Sequence, residues 1–225
     1  MIALLGGTFD PVHVGHLAAA KAARRLLGID TVRLVVAADP YHKRDHKRDH
    51  KRDHKRSNAV ISAARHRLTM VQLACESSEG LVADASDLGR AGPSYTIDLL
   101  EWRTETHRAE RRVWIIGDDA FAQILSWRGV EEVFRLTSFL VFTRRDHRSD
   151  WSAELEHFVR PRRVRALSCE NHGEVMLSDE TLPVVSSTMI RDCLRRAECV
   201  DQWLPPTVLN YIKENHLYEE SREAS

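Results

Sequence analysis

Apolar runs and segments of mixed polarity alternate along the chain. Clear apolar runs of strand length lie at 1–5, 31–37, 113–116 and 138–142, with weaker ones at 81–83, 163–167 and 175–177. Between and after them the pattern predicts helices at 16–27, 59–76, 95–104, 120–125, 130–136, 187–197 and 206–215. This alternation predicts an α/β fold, with a doubly wound, mostly parallel sheet flanked by helices and a small C-terminal helical part. Ligands of such sheets bind beyond the carboxyl ends of the strands.

One segment departs from this alternation. The tetrapeptide His42-Lys43-Arg44-Asp45 recurs at 46–49 and 50–53 and begins again at 54–56. Such a low-complexity tract cannot build a core, so we interpret 42–56 as a solvated loop within a single domain at 1–218, followed by a disordered tail at 219–225. If the tract is helical instead, its four histidines share one face and form a stripe suited to a soft metal.

The overall charge is zero, because 33 Lys and Arg balance 33 Asp and Glu in 225 residues. Residues 43–56 nevertheless hold four Lys, four Arg and three Asp, a net charge of +5, which leaves −5 for the rest of the chain. The excess comes from repetition of one short unit, so we do not interpret it as a nucleic-acid footprint and expect no nucleic-acid partner.

The remaining composition is typical of a globular protein, with 43% hydrophobic and 29% charged residues. The four cysteines form no C-x-x-C pair, which favours a reduced, cytoplasmic compartment. No apolar stretch approaches the ~20 residues of a membrane span, and the amino terminus has no targeting pattern, so we expect no membrane partner. The sequence leaves the oligomeric state open, a homo-oligomer included.

The strongest candidate chemistry lies between the first strand and the first helix, in a segment that we call the signature loop: Gly6-Gly7-Thr8-Phe9-Asp10-Pro11-Val12-His13-Val14-Gly15-His16. Its two leading glycines permit close backbone approach, and Thr8 offers a hydroxyl. His13 and His16 bring two imidazoles to a helix amino terminus, where N–H groups favour anions. The loop therefore suits a polyphosphate, although taken alone the two histidines could be a helix cap and a packed core residue.

A second candidate element is Val185-Ser186-Ser187-Thr188-Met189-Ile190-Arg191. Hydroxyls and a guanidinium at the start of a helix can hold phosphate oxygens. The alternative for an isolated match is an ordinary N-cap followed by a surface Arg191. The common nucleotide fingerprints are missing, since the chain has no P-loop and no G-x-G-x-x-G after the first strand.

Taken together, these strings resemble the signatures of the nucleotidyltransferases that share an H-x-G-H motif. The second element resembles the I-S-S-T-x-I-R motif, with Val185 in place of Ile. Segments at 92–100, 117–127 and 39–43 resemble P-S-Y-T-x-D-T-L, G-x-D-x-F…L-x-x-W and P-P-H-K, with Leu99 for Thr and Tyr41 for Pro. They narrow the resemblance to the bacterial nicotinate-nucleotide adenylyltransferases, over residues 1 to about 218.

The resemblance implies a Rossmann-like fold and transfer of the adenylyl group of ATP to nicotinate mononucleotide in NAD biosynthesis. It implies catalytic roles for His13, His16 and Arg191, and a set of ATP-binding residues: Gly6, Gly7, Thr8, Phe9, His13, Gly15, His16, Gly117, Asp118, Ser186, Ser187, Thr188 and Arg191. The implied substrate-binding residues are His42, Lys43, Tyr95, Thr96, Asp118 and Trp127. Mg²⁺ is expected as cofactor, held mainly by ATP phosphates and water, with no certain protein ligand.

Several alternatives stay open at this level. Asp118 could hold a ribose hydroxyl, face the metal, or be only a helix N-cap, and the repeat leaves open which His-Lys copy meets the substrate. Another H-x-G-H enzyme, acting on nicotinamide mononucleotide or phosphopantetheine, is the first rival function. A non-catalytic nucleotide-binding protein with a basic or metal-binding loop is the second.

Overall fold

The computed structural model describes residues 1–40, 62–90, 92–107, 110–143, 151–168 and 170–219. The repeat tract at 42–56, including His42 and Lys43, lies outside these residues, as do residues 220–225 of the predicted tail. The solvated loop predicted for the repeat tract and the disorder predicted for the tail therefore stay predictions from sequence.

Within the described residues, seven strands form one sheet in the order β3-β2-β1-β4-β5-β7-β6, and every pairing among them is parallel. Their bounds are β1 Ile2–Gly7, β2 Val32–Val36, β3 Leu81–Asp84, β4 Arg112–Gly117, β5 Ser138–Phe142, β6 Arg163–Val164 and β7 Val175–Ser178. The predicted doubly wound parallel sheet is thus confirmed. The prediction for 163–167 was too long, since only two of its residues pair with β7.

Eight helices lie in the described part of the chain: α1 Val14–Leu27, α2 Ala64–Glu76, α3 Thr96–Thr106, α4 Asp118–Phe121, α5 Val130–Leu136, α6 Ala153–Val159, α7 Ser187–Arg195 and α8 Pro206–Glu214. The helix predicted at 120–125 is wrong in detail, because α4 ends at Phe121 and a separate 3₁₀ turn spans Ile124–Ser126. Helix α6 was not predicted. Only Leu155 and Val159 of this helix are buried. Its apolar face is therefore too narrow to give a recognisable helical pattern in the sequence.

Alternate residues of the central strands pack on opposite faces of the sheet, as the period of two requires. In β1, Ala3 and Leu5 join one core, and Leu4 joins the other. The first core is closed by α1, α2, α7 and α8, which contribute residues such as Ala20 and Met70. The second is closed by α3, α5 and α6. The C-terminal helices therefore pack on the main sheet rather than on a core of their own.

The strand order reverses between β1 and β4. From β1 the chain passes outward to β2 and β3, and then returns to β4 on the other side of β1. In open α/β sheets this reversal leaves a crevice at the carboxyl ends of the two strands, because the connecting segments diverge there. The signature loop follows β1, and Gly117 ends β4, so both predicted ATP-binding segments border this crevice.

None of the helices within the described ranges is long and apolar enough to cross a membrane. Of the four cysteines, Cys75, Cys193 and Cys199 lie in the described part of the chain, and all three are free thiols.

Candidate active site

A cavity of about 790 Å³ occupies the crevice at the carboxyl ends of β1 and β4. Most of the predicted site residues line it together: Gly6, Gly7, Thr8, His13, Gly15, His16, Tyr95, Thr96, Gly117, Asp118, Trp127, Ser186, Ser187 and Thr188. Among the described residues, two predicted site residues do not line it, Phe9 and Arg191, and both are buried. A cavity of this size accommodates a ligand as large as a dinucleotide or its precursors.

The two glycines that end β1 are required by neighbouring aromatic rings. A Cβ atom at Gly6 would lie 2.3 Å from Cζ2 of Trp114, and one at Gly7 would lie 2.9 Å from Cζ of Phe9. Both distances are shorter than any tolerable carbon–carbon contact. Phe9 itself adopts φ 52°, a left-handed conformation uncommon for a non-glycine residue. Packing against these aromatic rings therefore explains why both positions after the core of β1 are glycine. Close approach of a phosphate to the two glycines stays a prediction.

His13 and His16 lie together at the amino terminus of α1. His13 occupies the N-cap position, and its backbone N–H donates to Nδ1 of His16 at 3.3 Å. The two rings stack with centroids 3.7 Å apart. A neutral His16 that accepts at Nδ1 carries its proton on Nε2, which makes that nitrogen a hydrogen-bond donor. The two hypotheses for these histidines, a helix cap and a pair of phosphate ligands, are therefore compatible.

Burial lowers the pKa of His13 from its ordinary value of 6.5 to about 4. The side chain is 5% exposed, and its Nδ1 has no hydrogen-bond partner among the described residues. Desolvation disfavours the charged imidazolium, so the isolated protein keeps His13 neutral at pH 7. A bound polyphosphate would oppose this effect, because an adjacent negative charge favours protonation.

The second motif opens α7 and contacts the signature loop directly. Ser186 is the N-cap, and its hydroxyl accepts from the Met189 N–H at 3.2 Å. The hydroxyl of Ser187 donates to the carbonyl of Pro11 at 2.9 Å, across 176 residues of sequence. The tertiary structure therefore brings both predicted phosphate motifs to one edge of the cavity.

Arg191 lies beneath this edge rather than on the surface. Its Nη1 donates to the carbonyl of Asp10 at 2.6 Å, and its Nη2 donates to Oγ1 of Thr188 at 3.2 Å. The third donor, Nε, is buried without a partner in the described residues. The alternative that Arg191 is a surface charge is therefore wrong. Its buried guanidinium donates to both the signature loop and the Thr188 hydroxyl.

Asp118 and Asp119 begin α4 after Gly117. Gly117 occupies the N-cap position, so the alternative that Asp118 is the N-cap is wrong. Asp118 is 3% exposed, and its carboxylate accepts from Nε1 of Trp151 at 2.8 Å. Asp119 is exposed and lines the cavity. Sequence reasoning missed both Trp151, which precedes the unpredicted α6, and the greater accessibility of Asp119.

Tyr95, Thr96 and Trp127 also line the cavity. A polar network fixes the turn that leads to Tyr95. The buried carboxylate of Asp87 accepts from the Ala38 N–H at 2.8 Å and from the Ser94 hydroxyl, and that hydroxyl accepts from the Asp39 N–H at 2.8 Å. Asp87 thus holds the end of β2 to the start of α3. It carries no recognisable motif, so the sequence did not indicate it.

Arg67 of α2 is another organising residue without a motif of its own. It is 1% exposed, and its guanidinium donates to four backbone carbonyls: Ser62 at 3.0 Å, Thr8 at 2.8 Å, Ala37 at 2.7 Å and Ala38 at 3.1 Å. Burial lowers its pKa, and the negative charge of Asp10 opposes that shift. Arg67 therefore joins the signature loop to the end of β2 by charge-assisted hydrogen bonds.

The carboxylates around the cavity fit a metal held chiefly by its ligand. Among the described residues no three His, Cys, Asp or Glu side chains are grouped closely enough to cage an ion. Asp87 and Asp118 are buried and accept from protein donors, and Glu180 is paired with Arg25. Asp119 accepts only from the neighbouring Ala120 N–H among the described residues and is exposed to the cavity. Mg²⁺ commonly binds through one or two carboxylates plus phosphates and water, so this donor set suits an ion that arrives with a triphosphate.

Comparison with known proteins agrees with this geometry. A family model described as cytidylyltransferase-like matches residues 4–193. The chain is 36% identical over 221 residues to a protein named probable nicotinate-nucleotide adenylyltransferase from Pseudomonas paraeruginosa, covering 96% of each chain. A protein of the same name from Leifsonia xyli is 33% identical over 217 residues, covering 96% of this chain and 93% of its own.

Solved structures agree at the level of the fold. Nicotinic acid mononucleotide adenylyltransferase from Plasmodium falciparum, complexed with NaAD, superposes with a TM-score of 0.68 at 19% identity, covering 96% of each chain. The same protein complexed with APC gives a TM-score of 0.68 at 18% identity.

Proposed function

Because the chain belongs to the cytidylyltransferase-like family, and its full-length relatives are nicotinate-nucleotide adenylyltransferases, we propose that it transfers the adenylyl group of ATP to nicotinate mononucleotide. The products are nicotinic acid adenine dinucleotide and pyrophosphate. The reaction consumes ATP and belongs to NAD biosynthesis, so the cytoplasm is the proposed location.

One observation carries this proposal beyond family likeness. The signature loop and the α7 motif border the same cavity, and they are hydrogen-bonded to each other through Ser187 and Pro11. A protein that bound only the adenine of a nucleotide would not need two polyphosphate elements on one edge. The cavity lining also includes the aromatic residues Tyr95 and Trp127, whose rings suit a pyridine ring.

The proposed reaction needs no general base. A phosphate monoester has a second pKa near 6 and is largely ionised at neutral pH, so the acceptor is already a nucleophile. Its oxygen attacks the α-phosphorus of ATP, a new P–O bond forms, and the bond to the pyrophosphate oxygen breaks. Catalysis then consists of holding the two substrates in line and countering charge on the phosphoryl oxygens.

We assign charge stabilisation to the two motifs. His16 would donate from Nε2, and His13 from its buried ring, to oxygens of the α- and β-phosphates. Thr188 would contact the leaving pyrophosphate through its hydroxyl, and Ser187, whose hydroxyl donates to the Pro11 carbonyl, would contact it through its backbone N–H. Arg191 would act through the Thr188 hydroxyl and through its buried charge. Lys43, which lies outside the described residues, is proposed to neutralise phosphate charge, and His42 to contact the substrate beside it.

Around the substrates, Gly6, Gly7, Thr8, Gly15 and Gly117 would supply backbone approach and donors, and Phe9 would support the loop from the core. Tyr95, Thr96 and Trp127 are proposed to hold nicotinate. Asp118, fixed by Trp151, and its neighbour Asp119 are the proposed carboxylates for a ribose hydroxyl and for the Mg²⁺ that accompanies ATP. That ion supplies neutralisation of phosphate charge when it is bound.

The deciding experiment measures pyrophosphate release with ATP and Mg²⁺, and compares nicotinate mononucleotide, nicotinamide mononucleotide and phosphopantetheine at equal concentration. We expect the highest kcat/KM with nicotinate mononucleotide and a dinucleotide product of the corresponding mass. A higher kcat/KM with either other acceptor would replace the proposed substrate. Absence of pyrophosphate release with all three would refute adenylyl transfer.

The residue assignments are tested in the same assay. The His16→Ala variant should lower kcat by about 10²-fold or more, the range found when one donor to a developing negative charge is removed. His157→Ala removes an exposed histidine of α6 and serves as the matched control, with turnover like that of the unmodified protein. Equal turnover of the two variants would remove His16 from the mechanism.

A further inference from the structure

The signature loop is tied to the last described turn of the chain through the carboxylate of Asp10. Asp10 is 1% exposed and does not line the cavity. The hydroxyl of Tyr218 donates to Oδ1 of Asp10 at 2.6 Å, across 208 residues of sequence. The N–H of Ser62 donates to Oδ2 at 3.4 Å, and Nη1 of Arg191 lies 4.0 Å from the same oxygen. Asp10 is therefore an anchor of the loop and not a ligand of the substrate.

Tyr218 adopts an unfavourable backbone conformation at this contact. Its φ is 69°, in the left-handed region that costs non-glycine residues energy unless their surroundings hold them there. Burial and the negative charge of Asp10 raise the pKa of the phenol above its ordinary value of 10. The hydroxyl therefore stays a donor throughout the physiological pH range. The strained conformation, the packing of Tyr218 against the first core and its hydrogen bond to Asp10 together indicate that this contact is specified by the fold.

The residues on either side of Asp10 contact the proposed phosphate ligands. The Phe9 ring meets the His16 ring edge to face, with centroids 5.0 Å apart. The carbonyl of Pro11 accepts the hydroxyl of Ser187 at 2.9 Å. Any shift of Asp10 must move Phe9 and Pro11 with it, because the three are consecutive. Both phosphate motifs thus depend on where Asp10 is held.

We infer that Tyr218 is a positioning residue for the ATP phosphates, which acts by fixing Asp10 and, through Phe9 and Pro11, the groups on His16 and Ser187. The inference rests on the proposed function, because it takes His16 and Ser187 as phosphate ligands. It extends that function by giving the C-terminal turn after α8 a part in ATP binding.

The test compares Tyr218→Phe with Tyr211→Phe. Tyr211 lies on α8, and its hydroxyl bonds His66 Nδ1 at 2.8 Å rather than a residue of the signature loop. The control thus removes the same phenolic oxygen and one partly buried hydrogen bond, near the same end of the chain. Binding of ATP with Mg²⁺ is measured by calorimetry without an acceptor, melting temperature is recorded for each variant, and KM for nicotinate mononucleotide is measured at saturating ATP.

We expect the Kd for ATP to rise about tenfold in Tyr218→Phe, as for loss of one charge-assisted hydrogen bond, with KM for nicotinate mononucleotide unchanged. In Tyr211→Phe the Kd for ATP should equal that of the unmodified protein. A merely structural role would lower the melting temperature and the active fraction in both variants but leave the Kd for ATP unchanged, and that result would overturn the inference.

Failure of the proposed function gives a different result. If the unmodified protein binds ATP but does not convert nicotinate mononucleotide, the substrate assignment falls while the ratio of the two ATP dissociation constants still decides the role of Tyr218. If the unmodified protein does not bind ATP, the inference is overturned as well, because there is then no ATP site to position.

Discussion

Replacement of His13 by Gln should make the stability of the protein less sensitive to acid. In the unfolded chain an imidazole has its ordinary pKa near 6.5, whereas burial in the folded protein lowers the pKa of His13 to about 4. Between these two values the unfolded state binds a proton that the folded state does not. The lowered pKa of His13 therefore costs the folded protein almost nothing above pH 6.5, and it lowers the free energy of unfolding as the pH falls toward 4.

The size of the effect follows from the same two pKa values. Lowering the pH from 7 to 5 should remove about 2 kcal/mol of the free energy of unfolding through His13 alone, at about 1.4 kcal/mol per pKa unit. His172 contributes in the same direction, because burial and then the charges of Arg111 and Arg112 lower its pKa to about 4. It is only half-buried, so solvent screening makes its contribution smaller.

The assay is urea unfolding at pH 7 and pH 5 for the unmodified protein, His13→Gln and His157→Gln. The contribution of His172 is common to all three and cancels in the comparison. We expect His13→Gln to lose about 2 kcal/mol less between the two pH values than the other two proteins. If all three lose the same free energy, burial does not keep the imidazole of His13 neutral in the isolated protein, and the pKa argument is refuted.

Two further predictions concern residues that organise the site. Gly6→Ala should destabilise the protein by about 1–3 kcal/mol, since its Cβ would lie 2.3 Å from the ring of Trp114. Gly89→Ala is the control, because a Cβ there would meet nothing within 4 Å. Equal urea midpoints for the two variants would contradict the packing argument. Arg67→Met should lower the free energy of unfolding by about 3 kcal/mol or more, because it removes a buried guanidinium that donates to four backbone carbonyls. Replacement of the exposed Arg65 by Met should not. A similar midpoint shift in both arginine variants would show that these four hydrogen bonds add little.

The sequence predicted most of the sheet because the central strands are continuous apolar runs between turn residues. Strands β1, β2, β4 and β5 were each found within one or two residues of their observed bounds. Helix α2 begins at Ala64 rather than near residue 59, and α6 was missed, since short helices with few buried residues carry a weak periodic signal. The comparisons with known proteins support the family that the motifs had indicated.

The candidate site divides in the same way. Residues within continuous motifs, such as His13, His16 and Ser187, could be recognised because each motif is local in sequence. Asp87 and Trp151 could not, since each acts on a partner reached only through the fold: Ala38 lies 49 residues from Asp87, and Asp118 lies 33 residues from Trp151.

By itself, then, the sequence indicated the strands, most of the helices, the two predicted phosphate motifs and the family, because each of these is encoded in short contiguous stretches. Only the tertiary structure decided that Arg191 lies buried under the loop, that Trp114 and Phe9 occupy the space beside Gly6 and Gly7, and that Tyr218 holds Asp10. The physical reason is that burial, packing and the pairing of charges depend on neighbours in space, and chain folding brings those neighbours together from positions up to 208 residues apart.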